Sequence, residues 1–341
     1  MLTEKENYLR VVNGEMPEWI PRIGFPSPGH MPATGGGGIS VFRGEPVLDA
    51  DGNVTGRTDI WGVEYVAVKE ISNAALPVPD KFILEDITKW RDIVKTPAWP
   101  DSIDWEAQAA TDTERVDRTQ TAMTAGAGGF FLPLMNMMGF SEGLCAMHEE
   151  PDEVRALFDY MLEFYMKQVD VLLQYYKPDL FSLSDDIAAA GNLFVSPQMY
   201  RDLVKPYHNA LAEKFVAAGI PIGMHCCGLS DDIVDDWVEI GVRVWNPAQV
   251  MNNLLHWKEK YKGVLALEGC FDSHGPGNWP HAPEELVKQA VRDCIDTYAP
   301  GGGFIFWGSS YGDPDDPDTE NKARWITEEY DRYGRTFYQN S

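Results

Sequence analysis

The chain has 341 residues, of which 44% are hydrophobic and 12% aromatic, enough apolar material for a large buried core. It carries 28 Lys and Arg against 53 Asp and Glu, and this net charge of −25 disfavours nucleic acid and anionic membrane surfaces as partners. No stretch approaches the roughly 20 consecutive apolar residues that span a bilayer, and the first residues lack the pattern of a secretion signal. We therefore expect a cytoplasmic protein whose five cysteines are reduced thiols.

The first 120 residues form an irregular segment, rich in proline and glycine and without long periodic stretches. This composition is typical of loops and edge strands. Asp51-Gly52-Asn53 predicts the turn of a β-hairpin within the segment. We expect the segment to pack on the remainder of the chain, so that residues 1–341 form a single domain.

From residue 130 onward, short apolar runs alternate with long amphipathic stretches, a pattern typical of strand–helix units around a parallel sheet. Helical spacing predicts helices over residues 152–176, 196–218 with a kink at Pro206, 231–240, 283–298 and 319–338. The runs predicted as strands span residues 130–134, 180–183, 221–226, 242–245, 264–267 and 304–307. With two further strands among the first 130 residues, the pattern predicts an α/β fold, an eight-stranded TIM (β/α)8 barrel with an irregular N-terminal extension.

Polar side chains cluster just after these apolar runs, at what would be the carboxyl end of the barrel. In TIM barrels the active site lies at that end. The positions concerned are Asp185, Asp186, the tripeptide His225-Cys226-Cys227, Asn246, Glu268, Cys270 and residues 309–311.

The tripeptide His225-Cys226-Cys227 provides three soft metal ligands at one predicted strand end, and Cys270 follows a second. Imidazole and thiolate donors at the same level of one sheet suit zinc. The alternative is a pair of buried thiols beside a histidine that makes ordinary hydrogen bonds.

Four stretches of the chain resemble the uroporphyrinogen decarboxylase superfamily, and within it the cobalamin-linked methyltransferases. The resemblance implies a TIM barrel and is compatible with a homodimer. The stretches are Pro17-Glu18-Trp19-Ile20-Pro21-Arg22, Ser184-Asp185-Asp186-Ile187 with residues 196–201 and 205–208, His225-Cys226-Cys227-Gly228, and Gly301-Gly302-Gly303-Phe304.

The methyltransferase branch carries a zinc site with a His-x-Cys pair, to which His225 and Cys227 correspond. This spacing lets both side chains point to one side of a strand, while Cys226 faces the helices. A further cysteine of the relatives is replaced here by Ser309-Ser310, and we infer that Cys270 supplies the third ligand. Three protein ligands would leave the fourth zinc position open for substrate.

The resemblance implies transfer of a methyl group from a methoxylated aromatic compound, a small aromatic methyl ether, to the cobalamin of a corrinoid protein. Zinc would withdraw charge from the ether oxygen. Asp185, Asp186 or Glu268 would act as the acid or base. Candidate substrate-binding residues, which could form a slot for a flat ring, are Trp61, Trp245, Asn246, Trp307 and Tyr311.

Three other functions remain open at this point. The first is methyl transfer from a corrinoid to a thiol such as coenzyme M, the second is decarboxylation of a cyclic acid, and the third is binding of a corrinoid protein without catalysis. The arginine-rich motif of the decarboxylase is reduced here to Arg22, which disfavours a porphyrinogen substrate. Purely structural roles also remain open, since Asp185 and Asp186 could cap a helix, and Trp245 and Trp307 could fill the core.

Overall fold

The computed structural model describes residues 2–24, 31–36, 38–42, 44–48 and 54–339. Its centre is a curled parallel sheet of seven strands in the order β1-β6-β7-β8-β9-β10-β11, and a four-stranded antiparallel sheet, β2-β3-β4-β5, lies beside it. The strands are β1 (Thr34–Gly36), β2 (Glu45–Leu48), β3 (Val54–Thr58), β4 (Glu64–Val68), β5 (Ala74–Pro77), β6 (Ala122–Gly126), β7 (Leu180–Ser184), β8 (Ile222–His225), β9 (Val242–Ala248), β10 (Ala266–Cys270) and β11 (Phe304–Trp307).

Helices alternate with the parallel strands from β6 to the end of the chain, which is the order of repeated strand–helix units. No helix in the described part of the chain is long and apolar enough to cross a bilayer. The helices are α1 (Glu4–Val12), α2 (Trp90–Ile93), α3 (Trp105–Thr113), α4 (Phe131–Met138), α5 (Phe140–Glu149), α6 (Pro151–Val171), α7 (Pro197–Leu203), α8 (Lys205–Ala217), α9 (Val234–Glu239), α10 (Leu254–Lys260), α11 (Glu284–Tyr298) and α12 (Pro317–Tyr333).

Helix α1 packs against the amino end of the parallel sheet, inside its curve. Thr3 and Glu6 form a capping box that fixes the start of this helix. Its buried face contributes to a small apolar cluster together with residues near the amino ends of several strands. The cluster consists of Tyr8, Val11, Val12, Ala33, Ala122, Leu180, Val244, Ala266 and Ile305.

The segment around Arg22 occupies the space between the edge strands β1 and β11. Phe306 donates its backbone N–H to the carbonyl of Pro21 at 2.8 Å, and Ile23 donates to the carbonyl of Phe306 at 3.1 Å. On the other side, Ala33 donates to the carbonyl of Arg22 at 2.9 Å. Within the described residues, the parallel sheet therefore has seven strands and a single bridge at Arg22 between its edges, rather than the eight strands that the sequence predicted.

Five of the six predicted apolar runs overlap the strands β7 to β11, which confirms the α/β class with a parallel sheet. The strand predicted at residues 130–134 is wrong, because this run forms the start of α4 and the preceding strand ends at Gly126. A short apolar run fits a buried helix as well as a buried strand, so periodicity alone could not separate them.

The predicted helices are also found, with two interruptions. The stretch 196–218 is divided at Val204 into α7 and α8, and Pro206 is the second residue of α8, where a proline is tolerated. Helix α6 continues as a π-helix to Tyr176. The hairpin turn expected at residues 51–53 lies outside the described residues, but the strands that flank it, β2 and β3, pair in antiparallel fashion.

Candidate metal centre and adjoining cavity

Three potential metal ligands converge at the carboxyl ends of the neighbouring strands β7 and β8. The ligand atoms of Asp186, His225 and Cys227 all lie within 4.8 Å of one another. The Sγ of Cys227 is 3.8 Å from Nε2 of His225. The parallel pairing of Ser184 with His225 puts the two strand ends at the same level and so brings these side chains together.

Hydrogen bonds orient each of the two non-sulfur ligands. The backbone N–H of Cys227 donates to Oδ1 of Asp186 at 2.7 Å, which leaves Oδ2 available. The Nδ1 of His225 lies 2.6 Å from Oδ1 of Asn246, which can only accept, so Nδ1 carries the proton and Nε2 keeps its lone pair. A hydrogen bond from the distal nitrogen is the usual support of a metal-binding histidine.

The donor set fits zinc in its chemistry and in the spacing of two of its atoms. Carboxylate, imidazole and thiolate groups all bind zinc, and tetrahedral bonding would separate the nitrogen and sulfur atoms by about 3.6 Å. The 3.8 Å between His225 and Cys227 is close to that value. Burial, followed by the nearby Asp186 carboxylate, raises the pKa of the Cys227 thiol to about 12. A bound cation would reverse this effect, because a coordinating thiol loses its proton.

Cys270 was expected to be the third ligand, but the structure does not bring it to the other two. Its sulfur is buried and interacts electrostatically with Lys258 on α10, and with Cys294 and Tyr298 on α11, so it faces the helical layer. The reason is local backbone geometry, since Cys270 has φ of +61° and Gly269 before it has φ of +127°. These values break the regular alternation of side chains at the end of β10.

Cys226 faces away from the metal centre, as alternation along β8 predicts. Its sulfur is fully buried and accepts the backbone N–H of Ile187 at 3.4 Å. Gly228 follows with φ of +96°, and a Cβ there would lie 2.6 Å from the carbonyl oxygen of Ala188. Only glycine therefore lets the chain turn tightly after Cys227.

Asp185, a candidate acid or base, has a structural environment instead. Its carboxylate is fully buried and accepts the backbone N–H groups of Phe130, Phe131 and Leu132 at 2.7–2.9 Å, at the start of α4. It also lies 3.1 Å from Nε2 of His208. These partners use its acceptor positions and fix α4 against the end of β7.

Asn246 and Glu268 lie behind His225, inside the curve of the sheet. Asn246 donates through Nδ2 to Oε1 of Glu268 at 2.5 Å, and the hydroxyl of Tyr8 donates to Oε2 at 3.2 Å. Burial raises the pKa of Glu268 to about 7. These side chains line an inner cavity of 190 Å³, with Thr34, Thr124 and Ser182 among its polar walls.

A much larger cavity, of 860 Å³, opens on the other side of the metal centre and includes Asp186 and Cys227 in its wall. It lies between strand β5 and the segment after it on one side, and α4 with the strand ends on the other. Its walls are mostly apolar. The remaining lining residues include Arg57, Tyr65, Leu76, Phe82, Leu132, Met135, Asn136, Phe140 and Phe194.

None of the five residues expected to bind substrate lines this large cavity. Trp61 donates its indole N–H to Tyr165 at 3.0 Å within the core, and Trp245 packs edge-to-face on Trp237 at 5.6 Å, on the helical side of β9. Trp307 is half-buried and Tyr311 is 50% exposed. Asn246 belongs to the hydrogen-bonded group described above.

The aromatic residues that do line the cavity are Tyr65, Phe82, Phe140 and Phe194. Sequence reasoning missed them because three of them lie on loops and helices around the strand ends rather than on strands. One signal was available for Phe140. It follows Gly139, a residue type that often ends a helix, and in the structure Gly139 adopts φ of +82° at the break between α4 and α5.

Comparison with known proteins agrees with this architecture. The chain is similar to a solved methyltransferase from Methanosarcina mazei, with 14% identity and a TM-score of 0.61 over 97% of this chain and 99% of that one. At this identity the similarity concerns the fold. No curated protein matches the chain. The family model named uroporphyrinogen decarboxylase (URO-D) matches residues 66–325, more than half of the sequence. The chain therefore belongs to the uroporphyrinogen decarboxylase (URO-D) family.

Proposed function

We propose that this protein is a zinc-dependent methyltransferase that moves a methyl group from a methoxylated aromatic compound to the cobalamin of a corrinoid protein. The observation that carries the proposal is the convergence of Asp186, His225 and Cys227 at the wall of a large apolar cavity. Three protein ligands leave one position for substrate, which is the arrangement of catalytic rather than structural zinc. The similar fold of a methyltransferase supports the reaction type.

The three ligands would hold the metal at the cavity wall, where a methoxy oxygen can reach it. When bound, zinc would supply a Lewis acid that draws charge from the ether oxygen, so that phenolate becomes a better leaving group. Asp186 and Cys227 together would offset the two positive charges of the ion. His225 would complete the set as a neutral imidazole, because Asn246 holds its proton on Nδ1.

The cavity walls suit a flat aromatic substrate. Phe140 and Phe194 have ring centroids 4.8 Å apart, and Phe194 is stacked on Phe131 with ring planes 17° apart. A volume of 860 Å³ lies within the range of small-molecule sites. The apolar walls would also exclude water from the reacting oxygen, which strengthens the charge interaction with the metal.

The position of Arg22 supports this function over porphyrinogen decarboxylation. Its guanidinium lies over the ring of Tyr330, 5.4 Å from the centroid. Tyr330 belongs to α12 and stacks on Phe306, so this arginine is directed to the helical layer. A carboxylate clamp would require several cationic groups on the cavity side, and Arg57 is the only Lys or Arg among the described residues that line the large cavity.

The test is the metal content of protein purified without oxygen, in the parent and in a matched pair of variants. We expect about one zinc per chain in the parent and in Cys270→Ala, and a large loss in Cys227→Ala. The parent should then demethylate methoxylated aromatic compounds when cob(I)alamin is supplied. A parent without zinc would contradict the proposal. A zinc-containing parent that demethylates methylcobalamin only in the presence of a thiol would favour the thiol-directed reaction instead.

A further inference from the structure

A line of hydrogen-bonded side chains connects the candidate metal centre to the N-terminal helix through the interior of the sheet. It runs from His225 to Asn246 at 2.6 Å, from Asn246 to Glu268 at 2.5 Å, and from Glu268 to Tyr8 of α1 at 3.2 Å. The three parallel strands β8, β9 and β10 each contribute one member. His225 and Asn246 are paired residues of β8 and β9, so their side chains share one face of the sheet.

The carboxylate at the centre of this line determines the direction of the hydrogen bonds. In its ionised form Glu268 only accepts, so Asn246 then directs its NH₂ group toward Glu268 and its carbonyl oxygen toward His225, as it does in the structure. That oxygen requires a proton on Nδ1 of His225. Nε2, 3.8 Å from the sulfur of Cys227, is then left with the lone pair that a metal needs.

Without the carboxylate, this direction would no longer be fixed. An asparagine amide can turn over and present its NH₂ group to Nδ1 of His225, with little change in shape. The imidazole proton would then lie on Nε2, the atom that faces Asp186 and Cys227. In that tautomer His225 cannot bind a metal through Nε2.

Packing does not explain a carboxylate at this position. Glu268 is 6% exposed, and its hydrogen-bond partners are the neutral groups of Tyr8 and Asn246. No Lys or Arg among the described side chains forms an ion pair with it. A buried carboxylate without a cation is costly, and glutamine would fill the same space at lower cost.

We propose that Glu268 is a positioning residue of the metal centre, which acts through Asn246 to hold His225 with Nε2 free to bind the metal. This inference rests on the metal site of the proposed function. It assigns to Glu268 and Asn246 a role in metal affinity rather than direct contact with the substrate.

The test exchanges donors and acceptors along the line. Glu268→Gln keeps the size of the side chain but allows the Asn246 amide to turn over, and we expect zinc affinity to fall about 10- to 100-fold. The double variant Asn246→Asp with Glu268→Gln puts the acceptor-only group beside His225 and lets Gln donate to it. We expect this double variant to recover most of the affinity. Tyr8→Phe leaves the bond between Glu268 and Asn246 in place and serves as the control.

Two further readouts separate this role from a merely structural one. The ¹⁵N chemical shifts of the imidazole, assigned with His225→Gln, should report the Nδ1–H tautomer in metal-free parent and a mixture in Glu268→Gln. Thermal unfolding of the same variants serves as a control that each one is folded. A further variant, Asn246→Leu, removes the amide and should show the same loss of zinc affinity. The ligand-field spectrum of bound Co(II) should change in Glu268→Gln and return in the double variant.

Equal zinc affinity in parent and Glu268→Gln, or a double variant no better than the single one, would overturn this inference and leave the proposed function intact. A parent that binds no zinc would overturn both. A unique Nδ1–H tautomer in Glu268→Gln would also refute the role given to Glu268.

Discussion

The backbone N–H of Cys227 donates to the carboxylate of Asp186 across 2.7 Å, so one candidate metal ligand holds another in place. The bond links the chain after β8 to the chain after β7. It uses one oxygen of a carboxylate that lies within 4.8 Å of the ligand atoms of His225 and Cys227. The ligand set is therefore organised by main-chain geometry before any ion arrives.

This arrangement leads to a prediction for Asp186→Asn. The amide oxygen can still accept the N–H of Cys227, but the variant lacks the charged oxygen, so we expect zinc affinity to fall at least about tenfold with little change in the unfolding temperature. Chelator competition and thermal denaturation measure the two quantities. Asp232→Asn, at an exposed carboxylate before α9, is the control. Unchanged zinc affinity in Asp186→Asn would show that Asp186 is not a zinc ligand.

Asp185→Ala should lower the stability of the fold and leave zinc binding unchanged, the opposite of Asp186→Asn. It leaves three buried N–H groups at the start of α4 and the ring of His208 without their acceptor. We expect the free energy of unfolding to fall by about 3 kcal/mol, because unsatisfied buried donors and hydrogen bonds to charged groups carry costs of this size. Urea denaturation measures the loss. Zinc content of the folded variant should stay near the parent value, and a stable variant that loses zinc would refute the structural role.

The raised pKa of Glu268, about 7 in place of 4.5, predicts a pH dependence of stability in metal-free protein. Between these two values the folded state binds more protons than the unfolded state, so the free energy of unfolding decreases as the pH rises. The contribution amounts to about 3 kcal/mol and levels off above pH 7. The difference in stability between Glu268→Gln and the parent should therefore grow over this window. Urea titrations at several pH values measure it, and a constant difference would contradict the expectation.

A pair of aromatic substitutions tests which cavity binds the substrate. Phe194→Ala opens the wall of the 860 Å³ cavity, and we expect the KM for an aromatic methyl ether to rise about tenfold, equivalent to about 1.4 kcal/mol. Trp245→Phe should leave KM unchanged, because that ring packs on Trp237 in the helical layer. Steady-state kinetics with equal zinc loading compares them. The reverse result, a higher KM in Trp245→Phe only, would indicate that the substrate binds on the other side of β9.

The sequence allowed the strands β7 to β11 to be predicted because each is buried on both faces and so appears as a continuous apolar run. Alternation along a strand also predicted that His225 and Cys227 share a side. Both properties depend on the regular geometry of a strand. They are local, and no distant residue is needed to deduce them.

The remainder of the site depends on irregular geometry. Cys270 leaves the expected face because it adopts a left-handed backbone conformation, which is uncommon outside glycine and has no pattern in the sequence. Asp186 is held beside His225 and Cys227 by a hydrogen bond from the main-chain N–H of Cys227, which is 41 residues away along the chain. Phe82 and Phe194 reach the cavity from segments whose positions are set by tertiary packing.

The hydrogen bond between Tyr8 and Glu268 joins residues separated by 260 positions in the chain. The orientation of the His225 imidazole thus depends on Glu268, from a strand that follows it, and Glu268 is hydrogen-bonded in turn to a helix near the start of the chain. A chain that ended before β10 would carry Asp186, His225 and Cys227, but not the group that orients the imidazole. Tight metal binding would then begin only when the sheet is complete, and zinc retention would distinguish fully folded molecules from partly assembled ones.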